Sequence, residues 1–160
     1  MTLEKFKEET VIISDEKRNK IREKYIQNFV SVESEYYKEY IKNVKECIDG
    51  KCYTGYLWEC LKYPMIISEE EGENILKKYR ELYIMWDIHS CEKIFTADYW
   101  KFGKENILLI NSELLMKGEK YLPEDIYIFD NTFNWTFIKT HEEIDGERYC
   151  LINKSDKELV

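Results

Sequence analysis

The feature that most constrains the fold is segment 122–142, in which two runs of aromatic and β-branched residues flank a polar turn at 131–134. Such residues favour strands, and a short polar interruption between two runs is typical of a β-hairpin. Both runs stay apolar on successive residues near the turn. The hairpin is therefore expected inside a sheet that is covered on both faces.

A four-residue turn also predicts the strand register. It places Phe129 opposite Thr136 and Ile126 opposite Lys139, and a shift of one residue would change every pair. Trp135 opens the second strand, and we expect it to be mostly buried. Since successive side chains point to opposite faces, the strands present two apolar sets: Ile126, Ile128, Trp135 and Phe137 on one face, and Tyr127, Phe129 and Ile138 on the other.

Short motifs in and around the hairpin suggest a family. Glu124-Asp-Ile-Tyr-Ile-Phe-Asp130 is followed by Trp135-Thr136 and by Thr140-His-Glu142, with Gly55-Tyr-Leu-Trp58 and the run Tyr83 to Ser90 upstream. Together they resemble a group of small, mostly bacterial proteins catalogued as a domain of unknown function. The resemblance covers about residues 52–145 and leaves out the first fifty residues and the segment 96–105. It implies no activity, substrate or cofactor.

Helical periodicity is concentrated in the first half of the chain. Ser14 is expected to cap a helix with an apolar stripe of Ile21, Tyr25 and Phe29. Ser68 begins a capping box, which predicts a helix to about residue 81. The other expected elements are helices at about 33–48, 55–63 and 112–117, an extended segment at 65–67, and strands at 10–13, 82–89, 93–96, 106–110 and 148–153.

Helices gathered before strands predict an α+β fold, with N-terminal helices packed on a mainly antiparallel sheet of about five strands. A chain of 160 residues fits a single domain over 1–160, with a helical part at about 14–80 and a sheet part at about 82–153.

Composition excludes several classes of function. A formal net charge of −8 disfavours nucleic acid and anionic lipid as partners, and no apolar run is long enough to cross a bilayer. Residues 1–9 lack the apolar region of a signal peptide, so a cytoplasmic location is expected. The cysteines are odd in number, without C-x-x-C spacing, and are expected to be reduced thiols rather than a disulfide framework or a zinc finger: Cys47, Cys52, Cys60, Cys91 and Cys150.

Residues that could carry chemistry fall at two places. Asp87, His89 and Cys91 alternate along one expected strand, and His141 and Glu142 end the hairpin. Without H-x-x-x-H, H-x-H or C-x-x-C spacing, satisfied structural histidines are favoured over a metal site, and no catalytic residue, metal ligand or cofactor is assigned. The candidates for a binding surface or cleft are Trp58, Asp87, His89, Trp100, His141 and Glu142.

Two functions follow as hypotheses. The first is a non-enzymatic protein that binds a basic partner protein, as an immunity protein or antitoxin does, because negative charge and surplus Tyr and Trp supply steering and interface anchors. The rival is a small metal-dependent or cysteine hydrolase. This hydrolase requires one group of side chains to converge in a pocket: Asp87, His89, Cys91, His141 and Glu142. The sequence leaves the oligomeric state open.

Overall fold

The computed structural model describes residues 1–48, 50–89 and 101–154. Its α-helices are α1 (Leu3–Glu9), α2 (Asp15–Phe29), α3 (Glu35–Tyr40), α4 (Glu69–Leu76) and α5 (Ser112–Gly118), with 3₁₀ turns at Leu57–Cys60 and Glu119–Tyr121. The strands are β1 (Val11–Ile12), β2 (Lys45–Cys47), β3 (Gly50–Cys52), β4 (Pro64–Ile67), β5 (Leu82–Met85), β6 (Leu108–Ile110), β7 (Ile126–Phe129), β8 (Trp135–Ile144) and β9 (Glu147–Lys154).

Seven strands form one antiparallel sheet in the order β1-β6-β5-β7-β8-β9-β4, so the fold is α+β as predicted. The sheet has more strands than the five expected. Strands β1 and β4 lie at its edges, where β1 pairs with β6 and β4 pairs with β9. They correspond to the expected strand at 10–13 and the expected extended segment at 65–67, but their places in the sheet were not predicted, because long-range pairing leaves little local signal.

The hairpin formed by β7 and β8 has the predicted register. Phe129 pairs with Thr136 and Ile126 with Lys139. Its two faces belong to different core clusters, since Ile128 and Phe137 pack on one side of the sheet while Tyr127, Phe129 and Ile138 pack on the other. Trp135 is 8% exposed, which confirms its predicted burial. The hairpin is thus the centre of a sheet with a core on each face.

Helix α3 ends eight residues before the predicted boundary at Ile48. In a longer helix, the carbonyl of Tyr40 would accept from the amide of Val44, but it accepts instead from the amides of Thr54 (3.1 Å) and Gly55 (3.0 Å). A Cβ atom on Gly55 would lie 2.7 Å from Cβ of Tyr40, so this close approach needs glycine. The residues after α3 form the β2–β3 hairpin instead.

Other boundaries also differ from the predictions. Ser68 caps α4 by accepting from the amide of Glu71 (3.1 Å), as predicted, but the helix ends at Leu76 rather than near residue 81. The expected helix at 55–63 is a 3₁₀ turn. Strand β5 ends at Met85, because the chain leaves the sheet and buries Asp87. The expected strand at 93–96 lies outside the described residues.

The cysteines differ from the expected all-reduced state. A disulfide joins Cys47 to Cys52 across the β2–β3 hairpin. Cys60 and Cys150 are free thiols, and burial raises their pKa values to about 12 and about 11. Cys91 lies outside the described ranges.

Within those ranges, no helix has the length and apolar character that spanning a bilayer demands.

Candidate functional site

Asp87 is a buried acid, 4% exposed, on the segment that follows β5. Its carboxylate accepts from the hydroxyl of Tyr53 (2.6 Å), the hydroxyl of Tyr127 (2.7 Å) and the amide of Leu57 (3.0 Å). Burial raises the pKa of Asp87, whereas these three donors oppose the shift. The sequence placed Asp87 near a sheet edge or cleft; the structure places it in the core.

The acid positions the 3₁₀ turn at Leu57–Cys60. Tyr127, which donates to Asp87, also accepts from the amide of Trp58 (3.0 Å), and the hydroxyl of Tyr36 accepts from the amide of Tyr56 (3.0 Å). Three successive amides at the start of the turn are therefore bonded to side chains from other elements. The Gly-Tyr-Leu-Trp motif is fixed against the core and carries Tyr56 and Trp58 at defined positions.

Trp58 connects this turn to the end of the hairpin. Its indole N–H donates to Asp125 Oδ1 (3.1 Å), and both carboxylate oxygens of Asp125 lie 3.0 Å from Nδ1 of His141. The amide of His141 donates to the same carboxylate. The hydrogen bond to Asp125 raises the pKa of His141. Asp125 was not among the predicted site residues, although extending the predicted register by one pair places it opposite Thr140, the neighbour of His141.

Five rings then form a ring cluster, which consists of Tyr56, Trp58, His89, His141 and Tyr149. Tyr56 lies between the two histidines, with centroid distances of 4.6 Å to His89 and 5.1 Å to His141. Trp58 lies 6.2 Å from His141 and 5.9 Å from Tyr149. The two histidines, 52 positions apart in the chain, are thereby brought to one surface.

Two exposed carboxylates border the ring cluster, those of Glu59 and Glu142. Burial raises the pKa of Glu59, and the negative charge of Glu142 raises it further. Within the described ranges neither acid forms an ion pair, whereas the charge of His141 is met by Asp125. The border of the cluster therefore carries uncompensated negative charge.

Most of the predicted site residues do come together. Trp58, His89 and His141 share the ring cluster, Glu142 borders it, and Asp87 lies beneath it. They do not share one pocket. A polar cavity of about 680 Å³ begins at His141, but the other predicted residues are not among those that line it. Trp100 and Cys91 lie outside the described residues.

A group of ions around the buried Lys139 lies beside that cavity, and three half-buried members of the group line it: Glu69, Glu119 and Arg148. None of these residues was among the predicted site residues. Lys139 is 1% exposed, and its ammonium lies 2.6 Å from Glu119, 2.7 Å from Glu73 and 3.2 Å from Glu69. Arg148 bridges Glu69 and Glu119. Burial alone would lower the pKa of Lys139, but the hydrogen bonds to Glu119 and Glu73 raise it. A lysine directly after Phe137 and Ile138 within an expected strand was the available signal.

The arrangement limits what chemistry the site can perform. Among the described residues, no group of three His, Cys, Asp or Glu side chains has the geometry to hold a metal ion. The ring of His141 hydrogen-bonds to Asp125, a pairing that orients an imidazole, and no nucleophilic side chain of the described ranges bonds to it. The site presents one exposed ring, several half-buried rings and two acids without an ion pair in the described ranges, an arrangement that suits recognition of a cation.

Comparison with known proteins gives a family and no further relatives. Neither the curated proteins nor the solved structures include a match to this chain. A family model described as "Domain of unknown function (DUF4275)" matches residues 2–150. The match includes the first fifty residues and the segment 96–105, which the motif resemblance had left out. Because it spans nearly the whole sequence, the chain belongs to the DUF4275 family of domains of unknown function.

Proposed function

We propose that this domain is a cytoplasmic binding module that engages a basic partner protein through the ring cluster and neutralises it, as an immunity protein or antitoxin does. The observation that carries the proposal is the position of the exposed His141 ring and the half-buried Tyr56 and Tyr149 rings beside Glu59 and Glu142, two exposed acids that lack an ion pair within the described ranges. Lysine and arginine side chains bind aromatic faces, and adjacent carboxylates strengthen that attraction.

The rigidity of the cluster supports this function. A chain of hydrogen bonds runs from Asp87 through Tyr127 to the amide of Trp58, and from the Trp58 indole through Asp125 to His141. Aromatic side chains that are already fixed lose little conformational entropy on binding. Such residues are the usual energetic centres of protein interfaces.

Net charge supports it as well. With 32 acidic and 24 basic residues, the chain carries a formal charge of −8, which accelerates the approach of a positively charged protein. No specific observation favours the hydrolase hypothesis: of its described residues, Asp87 is bonded to Tyr53 and Tyr127 in the core, and His141 is bonded to Asp125. We therefore do not carry it as a second function.

The test is affinity capture from the native host with the wild-type protein and the double variant Glu59→Gln/Glu142→Gln. The matched control is Glu23→Gln/Glu39→Gln, which removes the same charge at two exposed acids that form no ion pair within the described ranges. We expect the wild type and the control to recover one basic protein at near-equal amount, and the site variant to lose at least tenfold in recovery.

Two results would reject the proposal. One is recovery of no stoichiometric protein by the wild type. The other is equal recovery by the site variant and the control, which would mean that overall charge, and not the ring cluster, accounts for binding.

A further inference from the structure

Strand β4 forms one edge of the sheet and exposes apolar side chains. Met65 is 59% exposed and Ile66 72%, and Tyr63 just before the strand is 48% exposed. One side of β4 pairs with β9, and no strand in the described part of the chain pairs with the other side. The chain before β4 is covered, because the amide of Lys62 donates to the carbonyl of Phe29 (2.8 Å). The open edge thus begins at the apolar strand.

Natural proteins usually protect an edge of this kind with charged side chains, a bulge or a covering segment. The sequence of β4 is Pro-Met-Ile-Ile, which has no charged residue, and only Pro64 at its start belongs to the usual protective set. An exposed edge with apolar side chains is a template on which an extended segment of another chain adds a strand.

A cavity of about 350 Å³ lies next to this edge. Ile66 and Ile144 contribute apolar lining, and three acids also line the cavity: Glu71, Asp145 and Glu147. None of these acids forms an ion pair within the described ranges. Apolar side chains beside unpaired acids match a segment that alternates apolar and basic residues.

Arg148, the one cation among the described residues that line this cavity, is already neutralised. Arg148 donates to Glu69 (3.2 Å) and Glu119 (3.0 Å) and to the carbonyl of Thr140 (2.8 Å). Its positive charge is therefore paired with two acids outside the cavity lining, and the acids that line the cavity form no ion pair with Arg148 or with any other described residue.

The edge is also continuous with the ring cluster. Tyr149 lines the cavity beside β4, and its ring lies 5.9 Å from that of Trp58. One ligand that crosses Tyr149 would contact both surfaces.

We infer that β4 accepts an extended segment of the basic partner as an added strand. Its apolar side chains lie on the face of Met65, and a lysine or arginine side chain on the opposite face enters the cavity beside β4, next to Ile66. The inference rests on the proposed function and names the form in which the partner binds. A second copy of this chain is a poorer occupant, because pairing two β4 edges would bring together two sets of unpaired acids, Glu71 and Glu147 among them.

A random octapeptide library displayed on phage, selected against the full chain, tests this inference. We expect enriched peptides to alternate apolar and basic residues. Their affinity should fall at least tenfold for Ile66→Lys and stay within twofold for Met116→Lys, a control with the same charge change at an exposed apolar residue on α5. Peptide binding should also slow hydrogen exchange at the amides of 65–67.

Three outcomes would overturn the inference. They are failure to enrich any peptide, equal binding of the enriched peptides by Ile66→Lys, and a concentration-dependent wild-type dimer that Ile66→Lys abolishes, which would assign the edge to a second copy. If host capture is lost in Glu59→Gln/Glu142→Gln but kept in Ile66→Lys, the binding function stands and the added strand alone is wrong.

Discussion

At the scale of single residues, the hairpin separates structural roles from surface roles within ten positions. Trp135 at the start of β8 is buried and stacks on Tyr79, with a centroid distance of 4.7 Å. Lys139 in the middle is buried among carboxylates, and His141 is exposed and held by Asp125. Truncation of each of these side chains is therefore expected to change the free energy of unfolding by a different amount.

We predict that Trp135→Ala lowers the free energy of unfolding by about 3–5 kcal/mol, the usual range for loss of a large core aromatic. His141→Ala should cost much less, because Asp125 keeps its hydrogen bonds from the Trp58 indole and from the backbone of residue 141. Urea denaturation of both variants measures the difference. A His141→Ala variant as unstable as Trp135→Ala would show that this end of the strand is structural.

The Asp125–His141 pair also predicts a pH dependence. The pKa of His141 is raised in the folded protein by its bond to Asp125, so the pair stabilises the fold fully below the unfolded pKa of about 6.5. That stability is lost as pH rises through the folded pKa. The melting temperature of the wild type should therefore exceed that of His141→Gln at pH 5.5, and the gap should shrink toward pH 9. A gap that widens with pH would contradict this sign.

At the scale of elements, predictions that rest on neighbouring residues succeeded more often than predictions that depend on contacts between distant parts of the chain. The β7–β8 register followed from the length of the turn and from the alternation of neighbouring residues, so it could be predicted from the sequence alone. The pairing of β4 with β9 joins residues more than eighty positions apart and leaves no pattern in a single sequence. The helical spacing of apolar residues predicted that α3 continues to Ile48. In the structure the carbonyl of Tyr40 accepts from the amides of Thr54 and Gly55, and the helix ends at Tyr40.

The same contrast applies to the site. His89 and His141 were singled out by residue type alone, and only the fold shows that Tyr56 lies between them. The Cys47–Cys52 disulfide was missed because the helix was extended across the turn that brings the two cysteines together.

Gly55 connects α3 to the ring cluster, and we predict that Gly55→Ala lowers the free energy of unfolding by about 1–3 kcal/mol, the usual cost of overpacking. The added methyl group would clash with Tyr40 and displace the 3₁₀ turn that carries Tyr56 and Trp58. Partner binding should weaken as well. Thr54→Ala, at the exposed neighbouring position, is the control. A fully stable Gly55→Ala protein would show that the approach of the two segments is not tight.

At the scale of the whole molecule, the sheet has a protected centre and an unprotected edge. Central strands β5, β7 and β8 carry a core on both faces, while β4 exposes apolar side chains beside unpaired acids. The ring cluster and the β4 edge meet at Tyr149. Acids without an ion pair in the described ranges border both surfaces, as a module for a basic protein requires, and they make association sensitive to ionic strength.

The most direct measurement is the association rate constant of the captured basic protein across ionic strength, for the wild type and for Glu59→Gln/Glu142→Gln. Electrostatic steering predicts that the wild-type rate falls by at least about tenfold between about 0.01 M and about 1 M salt. The site variant should start lower and fall less steeply than the Glu23→Gln/Glu39→Gln control. A rate that is independent of salt, or one that both variants reduce equally, would contradict the account.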